Sequence, residues 1–313
     1  MQCVVFGGGG FIGSAVVDQL LSEGHSVRVF AQASTRPYRS FSGGECIEWV
    51  TGDFLEKDSV KKAVEGAEVI IHLVSTTLPK NSNDNPAYDV QTNLLATLNL
   101  LDIMVEKKIK KIIFVSSGGT VYGRPHVVPI SEEHVTNPLV SYGITKLAIE
   151  KYLLLYKELH GLQPIIFRVS NPFGHRQPTT KEQGAVSIFI NKALKGEAIE
   201  IWGDGTVTRD FIYIDDLARA FAAAIQYQGE KNLFNIGSGK GATLNELVDT
   251  LESVLNRPIK RKHIESRNFD VPLSVLDISL AGRELGWKPN TSLKDGIKQT
   301  LVLLQKKKSD KEK

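Results

Sequence analysis

The first hydrophobic run, residues 3–6, passes directly into four glycines, Gly7 to Gly10, and leaves them as an amphipathic segment, 11–21, apolar at positions 12, 15, 16, 17, 20 and 21. That spacing predicts a strand, a tight turn and a helix. Gly24 ends the helix, and further strands are expected at 26–30, 46–50, 68–73 and 110–115. Helical patterns fall between them at 57–65 and 86–108, the second apolar at 90, 94, 95, 98, 101 and 105. Each expected strand is an almost unbroken apolar run, as strands covered on both faces are. Alternation of such strands with helices predicts an α/β fold built on a doubly wound parallel sheet.

Ligands of open parallel sheets bind outside the carboxyl ends of the strands. Those ends carry Gly7 to Gly10, Gly52 and Asp53, Ser75 to Thr77, and Ser116 to Thr120, so one crevice collects the polar and small residues. The glycines fit two spacings at once, Gly8-x-Gly10-x-x-Gly13 and Gly7-x-x-Gly10-x-x-Gly13. Glycine lets the backbone approach a ligand closely, and the free N–H groups of the helix that follows attract a diphosphate. The chemistry suits a dinucleotide. Asp53 is either a turn cap or an acceptor for an adenine amine, and Asn93 either ties two backbones together or contacts a cofactor.

At 313 residues and 42% hydrophobic, the chain has enough material for one large domain or two smaller ones. Its formal charge of +3 is small, and the basic run 306–313 reads as a solvated, frayed tail, so no nucleic-acid or membrane partner is expected. No apolar run nears the ~20 residues needed to span a bilayer, and no leader precedes the first strand, which points to the cytoplasm. Cys3 and Cys46 both fall in expected strands and read as inert core thiols, with no disulfide or metal site.

Ser141-Tyr142-Gly143-Ile144-Thr145-Lys146 opens a helix that is apolar at 147, 149, 153, 154 and 155, so Tyr142 and Lys146 share a face. A phenol titrates near ~10, and a neighbouring ammonium together with a cationic nicotinamide lowers it toward a usable base. Such pairs are common on solvated helices. Coming roughly 130 residues after a glycine-rich turn, and after a serine-rich strand end, this one becomes a candidate catalytic pair.

These motifs, with Ile71-His72-Leu73, Val121-Tyr122-Gly123, Arg168-Val169-Ser170-Asn171-Pro172, the run 208–217, Asn235-Ile236-Gly237 and Glu284-Leu285-Gly286-Trp287, carry a resemblance. Over nearly its whole length the chain resembles the extended short-chain dehydrogenase/reductases that act on nucleotide sugars, the NAD-dependent epimerase/dehydratases, and within them the UDP-glucose 4-epimerase group. The resemblance implies a Rossmann domain at 1–170 plus 211–239, with the chain returning to its sheet near 211–214 and 233–236. A smaller nucleotide-sugar domain takes 171–210 and 240–313. It implies NAD contacts from Gly7, Gly10, Phe11, Ile12, Gly13, Gln32, Ser34, Arg36, Asp53, Phe54, Leu73, Val74, Ser75, Asn93, Ser116, Tyr142, Lys146 and Ser170. It implies substrate contacts from Thr76, Ser117, Tyr142, Asn171, the Ala185–Val186 pair, Trp202 against the uracil, Arg209 and Arg267 at the diphosphate, and Ser274 beside the sugar. A homodimer joined by the helices at 86–108 and 141–160 is also implied.

The chain departs from the pattern in three places. Phe6 stands where relatives carry Thr, and Ala31 replaces the acidic residue expected to hold the adenosine ribose, leaving Gln32 or Ser34 as substitutes and Arg36 as an opening to NADP. The catalytic hydroxyl falls on Gly118 counted from Val121-Tyr122-Gly123 and on Ser117 counted from Tyr142; Ser117 is chosen, with Ser116 and Thr120 in reserve. The expected reaction is 4-epimerisation of a UDP-hexose through a 4-keto sugar, extended to N-acetylhexosamines because Ser274 stands where glucose-restricted members have an aromatic ring. A 4,6-dehydratase would need an Asp-Glu pair where Gly119 and Thr120 stand. A keto-sugar reductase, a decarboxylase and a non-catalytic dinucleotide sensor are the alternatives.

Overall fold

The computed structural model describes residues 1–178, 184–265 and 271–309. In chain order the first part runs β1 (Gln2–Phe6), α1 (Phe11–Ser22), β2 (Ser26–Ala31), β3 (Ile47–Thr51), α2 (Lys57–Ala63), β4 (Val69–His72), α3 (Pro86–Asp89), a π-helical stretch (Val90–Leu95), α4 (Ala96–Glu106), β5 (Lys111–Ser117), α5 (Ser141–His160) and β6 (Gln163–Val169). The second part continues with β7 (Asn171–Phe173), α6 (Ala185–Lys195), β8 (Ile199–Trp202), β9 (Thr208–Tyr213), α7 (Ile214–Gln226), β10 (Leu233–Ile236), β11 (Gly241–Thr243), α8 (Leu244–Leu255), β12 (Arg261–Ile264), β13 (Leu273–Ser274), α9 (Ser279–Glu284) and α10 (Leu293–Ser309).

Seven strands form one parallel sheet in the order β10-β6-β5-β4-β1-β2-β3, the doubly wound arrangement expected from the alternating pattern. Period-two alternation sends Cys3 and Val5 to one face, where they pack with Val16, Leu20 and Phe221. Val4 and Phe6 go to the other, against Val60, Leu100 and Met104. All of these side chains are almost fully buried, and each contributes ~1.5–3 kcal/mol by leaving water. Phe6 has a physical reason for its place: its ring stands 5.0 Å from Phe30 and 5.4 Å from Phe54, which a threonine would forfeit.

Several expectations are corrected. Cys46 is exposed, because β3 begins one residue later and is the edge strand of the sheet. The expected helix at 86–108 is interrupted by the π-helical stretch, where Thr92 Oγ1 donates to Tyr88 O (2.7 Å) and Thr97 Oγ1 to Asn93 O (2.6 Å). Hydroxyls bonded into the backbone ladder loosen it at that point. The return to the sheet near 211–214 does not occur: β9 pairs with β7, β11 and β13 in a separate small sheet, and only β10 rejoins β6. The basic run starting at Lys306 continues α10 as far as Ser309 rather than fraying at once, in keeping with the helix propensity of lysine.

No helix among the described residues is long and apolar enough to cross a membrane.

Candidate active site

The glycine turn is built as the spacing requires. Gly7 adopts φ +82°, and a Cβ on Gly13 would lie 2.2 Å from Gly7 O, so the start of α1 can close onto β1 only with glycine there. No side chain caps α1, which leaves its first N–H groups facing the turn. A Cβ on Gly7 would touch Leu73 C and Val74 N at 3.4 Å, so the ends of β1 and β4 meet at the same place. Phe54 is buried behind them, while Asp53 is exposed and caps its own turn by accepting from Leu55 N at 2.9 Å. Ala31 is buried at the end of β2, with Gln32, Ser34 and Arg36 exposed just beyond it.

Asn93 ties two segments of backbone together. Its Oδ1 accepts from Thr76 N (3.0 Å), and its Nδ2 donates to Thr77 Oγ1 (3.2 Å) and Asp89 Oδ1 (2.8 Å), so its amide is used within the protein. Ser75 and Thr76 stay exposed on the loop that this tie holds.

Val140 supplies no side-chain cap for α5. Instead the loop after β4 does so from outside: Ser141 N donates to Asn83 Oδ1 (2.9 Å) and Tyr142 N to Ser82 Oγ (3.0 Å). One turn later Lys146, buried, donates from Nζ to Val115 O (2.9 Å) and sits 4.7 Å from the centre of the Phe114 ring and 5.6 Å from that of Tyr142. Burial pushes the ammonium down to about 8, against the upward pull of the Asp89 and Glu150 charges. Burial, then the Asp89 charge, pushes the Tyr142 phenol up to about 12. The expected lowering by Lys146 is therefore not produced by the protein groups alone, since desolvation of a phenolate outweighs a cation already bonded to a carbonyl.

The serines at the end of β5 differ sharply. Ser116 Oγ donates to Glu150 Oε1, whose carboxylate also pairs with Arg168 (2.7 Å), so Ser116 belongs to a buried ion pair. A Cβ on Gly118 would lie 2.7 Å from a methyl of Leu276 and 3.1 Å from Arg168 O, leaving no room for a hydroxyl side chain. Ser117 remains, half-buried, with its Oγ near Gly119. Thr120 packs beside Gly143, and its buried Oγ1 has no partner among the described residues, as is true of Ser170 Oγ. Unpaired buried hydroxyls are costly, so these two, with the uncapped start of α1, fit a bound polar ligand such as a dinucleotide.

A cleft of about 200 Å³ opens beyond this edge. Asn171, Ala185, Val186, Trp202 and Arg209 all line it, joined by Phe211. The Asn171 amide donates to Asp210 O (2.9 Å), and Arg209 Nη1 donates to Thr208 O (3.0 Å) and Val271 O (2.5 Å). Ser274 is buried in β13 in register with Arg209 and does not line the cleft; nor do Thr76 and Ser117. Arg267 lies outside the described residues. Among the described residues no group of three or more His, Cys, Asp or Glu is placed to hold a metal ion.

Sequence reasoning missed Ser82, Asn83 and Asp89. Asp89 had a signal: residues 89, 93 and 97 form a polar line at i, i+4, i+8 within an apolar helix pattern, and all three are buried. Ser82 and Asn83 had none, because a cap supplied from another segment leaves no local spacing.

A model of the NAD dependent epimerase/dehydratase family matches residues 3–237. Over 299 residues the chain is 39% identical to a Methanocaldococcus jannaschii protein provisionally named UDP-glucose 4-epimerase, covering 95% of this chain and 96% of that one. It is 36% identical over 301 residues to the dTDP-4-dehydro-6-deoxyglucose reductase of Escherichia coli, covering 94% of each. Among solved structures it superposes on the UDP-glucose 4-epimerase of Thermotoga maritima, crystallised with UDP-glucose, with a TM-score of 0.91 at 33% identity, covering 98% of this chain and 99% of that one.

Proposed function

The chain belongs to the NAD dependent epimerase/dehydratase family, and from that premise we propose that it interconverts UDP-glucose and UDP-galactose by redox-neutral 4-epimerisation with NAD. The observation that carries this reading is continuity between an acid–base edge and a recognition cleft. Val169 pairs with Ser117, and two residues further on Asn171 already lines the cleft. A UDP-sugar anchored there by Arg209 and Trp202 presents its sugar to Tyr142.

When bound, NAD supplies a reversible hydride acceptor and a positive ring charge. The protein residues do the rest. Tyr142 takes the proton of the 4-hydroxyl as the C4 hydride leaves, and returns it once the 4-keto sugar has turned its other face. Lys146 adds positive charge one helical turn away, and Ser117 donates a hydrogen bond to the reacting oxygen. Gly turn, Ser170 and Thr120 hold the cofactor side, while the cleft keeps the UDP fixed so that only the sugar moves. The reading is tested by incubating the protein with a panel of nucleotide sugars and identifying products by NMR. Absence of any C4-inverted product overturns it.

Ser274, small and buried beside Arg209, supports acceptance of N-acetylhexosamines as well. A homodimer follows from the same reading, supported by an exposed apolar face on α5 at Ile144, Tyr152, Leu155 and Leu159, with Val90 and Leu95 exposed on the neighbouring helical segment. A monomer in sedimentation experiments would count against it. The identity to the E. coli reductase favours one second reading, an NAD(P)H-consuming keto-sugar reductase. Net consumption of reduced cofactor with a 4-keto sugar separates the two.

A further inference from the structure

Asp89 is fully buried, yet no cation pairs with it among the described residues. Its carboxylate is satisfied by four neutral donors from three segments. Oδ1 accepts from Thr77 Oγ1 (2.5 Å) on the loop after β4 and from Asn93 Nδ2 (2.8 Å) in the π-helical stretch. Oδ2 accepts from Ser141 Oγ (2.8 Å) and Thr145 Oγ1 (2.9 Å) on the first turn of α5. Those last two residues immediately precede Tyr142 and Lys146. A buried, unpaired carboxylate costs several kcal/mol, and a neutral side chain would close the same gap more cheaply.

We propose that Asp89 is a positioning residue for the Tyr142–Lys146 pair: it tethers the helical turn that carries both and places a fixed negative charge beneath them. The proposal rests on the acid–base reading above. The tether joins the helix start to the loop that carries Thr76 and Thr77, so the loop expected to meet the cofactor and the turn that holds the base are fixed by one group. The charge acts on both titrating partners with the same sign, favouring the protonated state of each.

The other ionisable groups packed around the pair do not duplicate it. His72 on β4 is held neutral, its ring pushed down to about 3 by burial and by Lys146. Glu150 on α5 is paired with Arg168 from β6, and Lys80 and Asp84 on the loop are exposed to solvent. Removing the Asp89 charge therefore makes both Tyr142 and Lys146 easier to deprotonate, and both limbs of a bell-shaped pH–rate profile move in the same direction, toward acid.

The test compares wild type with Asp89→Asn as holoenzymes. We expect turnover to fall, with both limbs moving down by about one pH unit, the effect of one nearby charge. Ultraviolet titration of the Tyr142 phenolate, taken as the difference from Tyr142→Phe, should move the same way without substrate present. Unchanged limbs and an unchanged phenolate titration overturn the proposal. If Asp89→Asn does not fold, Thr145→Val, which removes one tether and keeps the charge, is expected to lower kcat about tenfold with KM and both limbs unchanged, and Thr145→Ser to restore it. A Thr145→Val enzyme with wild-type kcat overturns the tether. Full activity of Tyr142→Phe would instead reject the acid–base reading itself, and the phenolate titration still reports on Asp89.

Discussion

The polar network at the edge of the seven-stranded sheet is buried more deeply than Asn171, Trp202 and Arg209, which line the cleft beyond it. At the edge, Lys146, Asp89, Asn93 and Ser116 are buried, and each makes a hydrogen bond to another segment of the chain. In the cleft, Trp202 is 38% exposed at the end of a four-residue strand, and the lining comes from short strands and the start of α6. Under the proposed function, the difference separates chemistry from recognition. Proton transfer needs atoms fixed to a fraction of an ångström, and a network that spans four elements provides that. Recognition of a nucleotide tolerates more give.

If that division holds, substitutions at the edge lower kcat and those in the cleft raise KM. The largest effect is expected for Tyr142→Phe, which keeps the ring and removes the proton acceptor: turnover falls by about 10³–10⁴ while cofactor binding and melting temperature stay close to wild type. Arg209→Ala should raise KM by about ten- to a hundredfold with a much smaller change in kcat, as loss of a charge-assisted phosphate contact implies. An Arg209 variant whose loss lies wholly in kcat would erase the distinction between the two regions.

Ser274→Tyr comes next, at a position buried in β13 opposite Arg209. Overfilling a packed position costs ~1–3 kcal/mol, so the tyrosine variant should lose about ten- to a hundredfold on UDP-N-acetylglucosamine and much less on UDP-glucose. Equal losses on both sugars, or a wild type that ignores the acetylated one, contradict the pocket role of Ser274.

The smallest effect concerns stability. The ammonium of Lys146 is lowered in the folded protein to about 8 from an ordinary 10.5. Between those values the unfolded chain binds more protons than the folded one, so stability rises with pH across that window, and below pH 8 the buried charge is a constant burden. Lys146→Met should therefore raise stability at neutral pH by about 1–3 kcal/mol. A variant that melts lower than wild type at pH 7 would show that the bond to Val115 O outweighs desolvation.

The two regions were also unequally legible. The alternation of strands and helices, the glycine turn and the Tyr142–Lys146 face follow from periodicities that short windows contain, and the parallel sheet and α5 match them. The cleft residues Asn171, Ala185, Val186, Trp202 and Arg209 were placed by family resemblance, since no local pattern marks them, and they do come together. What the sequence concealed is cooperation between distant segments. The cap on α5 comes from Ser82 and Asn83, some sixty positions earlier in the chain, and the π-helical stretch arises from threonines bonding to their own backbone. The rise in the Tyr142 pKa could not be read either, because burial depends on everything packed around the ring.

The central claim is that the hydride leaves C4 and the proton leaves the 4-hydroxyl, and that both return within one site. UDP-glucose carrying deuterium at C4 tests it most directly, with the product followed by NMR. The account predicts UDP-galactose with its deuterium retained at C4, no release of reduced cofactor, and no such product from Tyr142→Phe. Loss of the label to solvent, or a C4-unchanged sugar accompanied by free reduced cofactor, would contradict it.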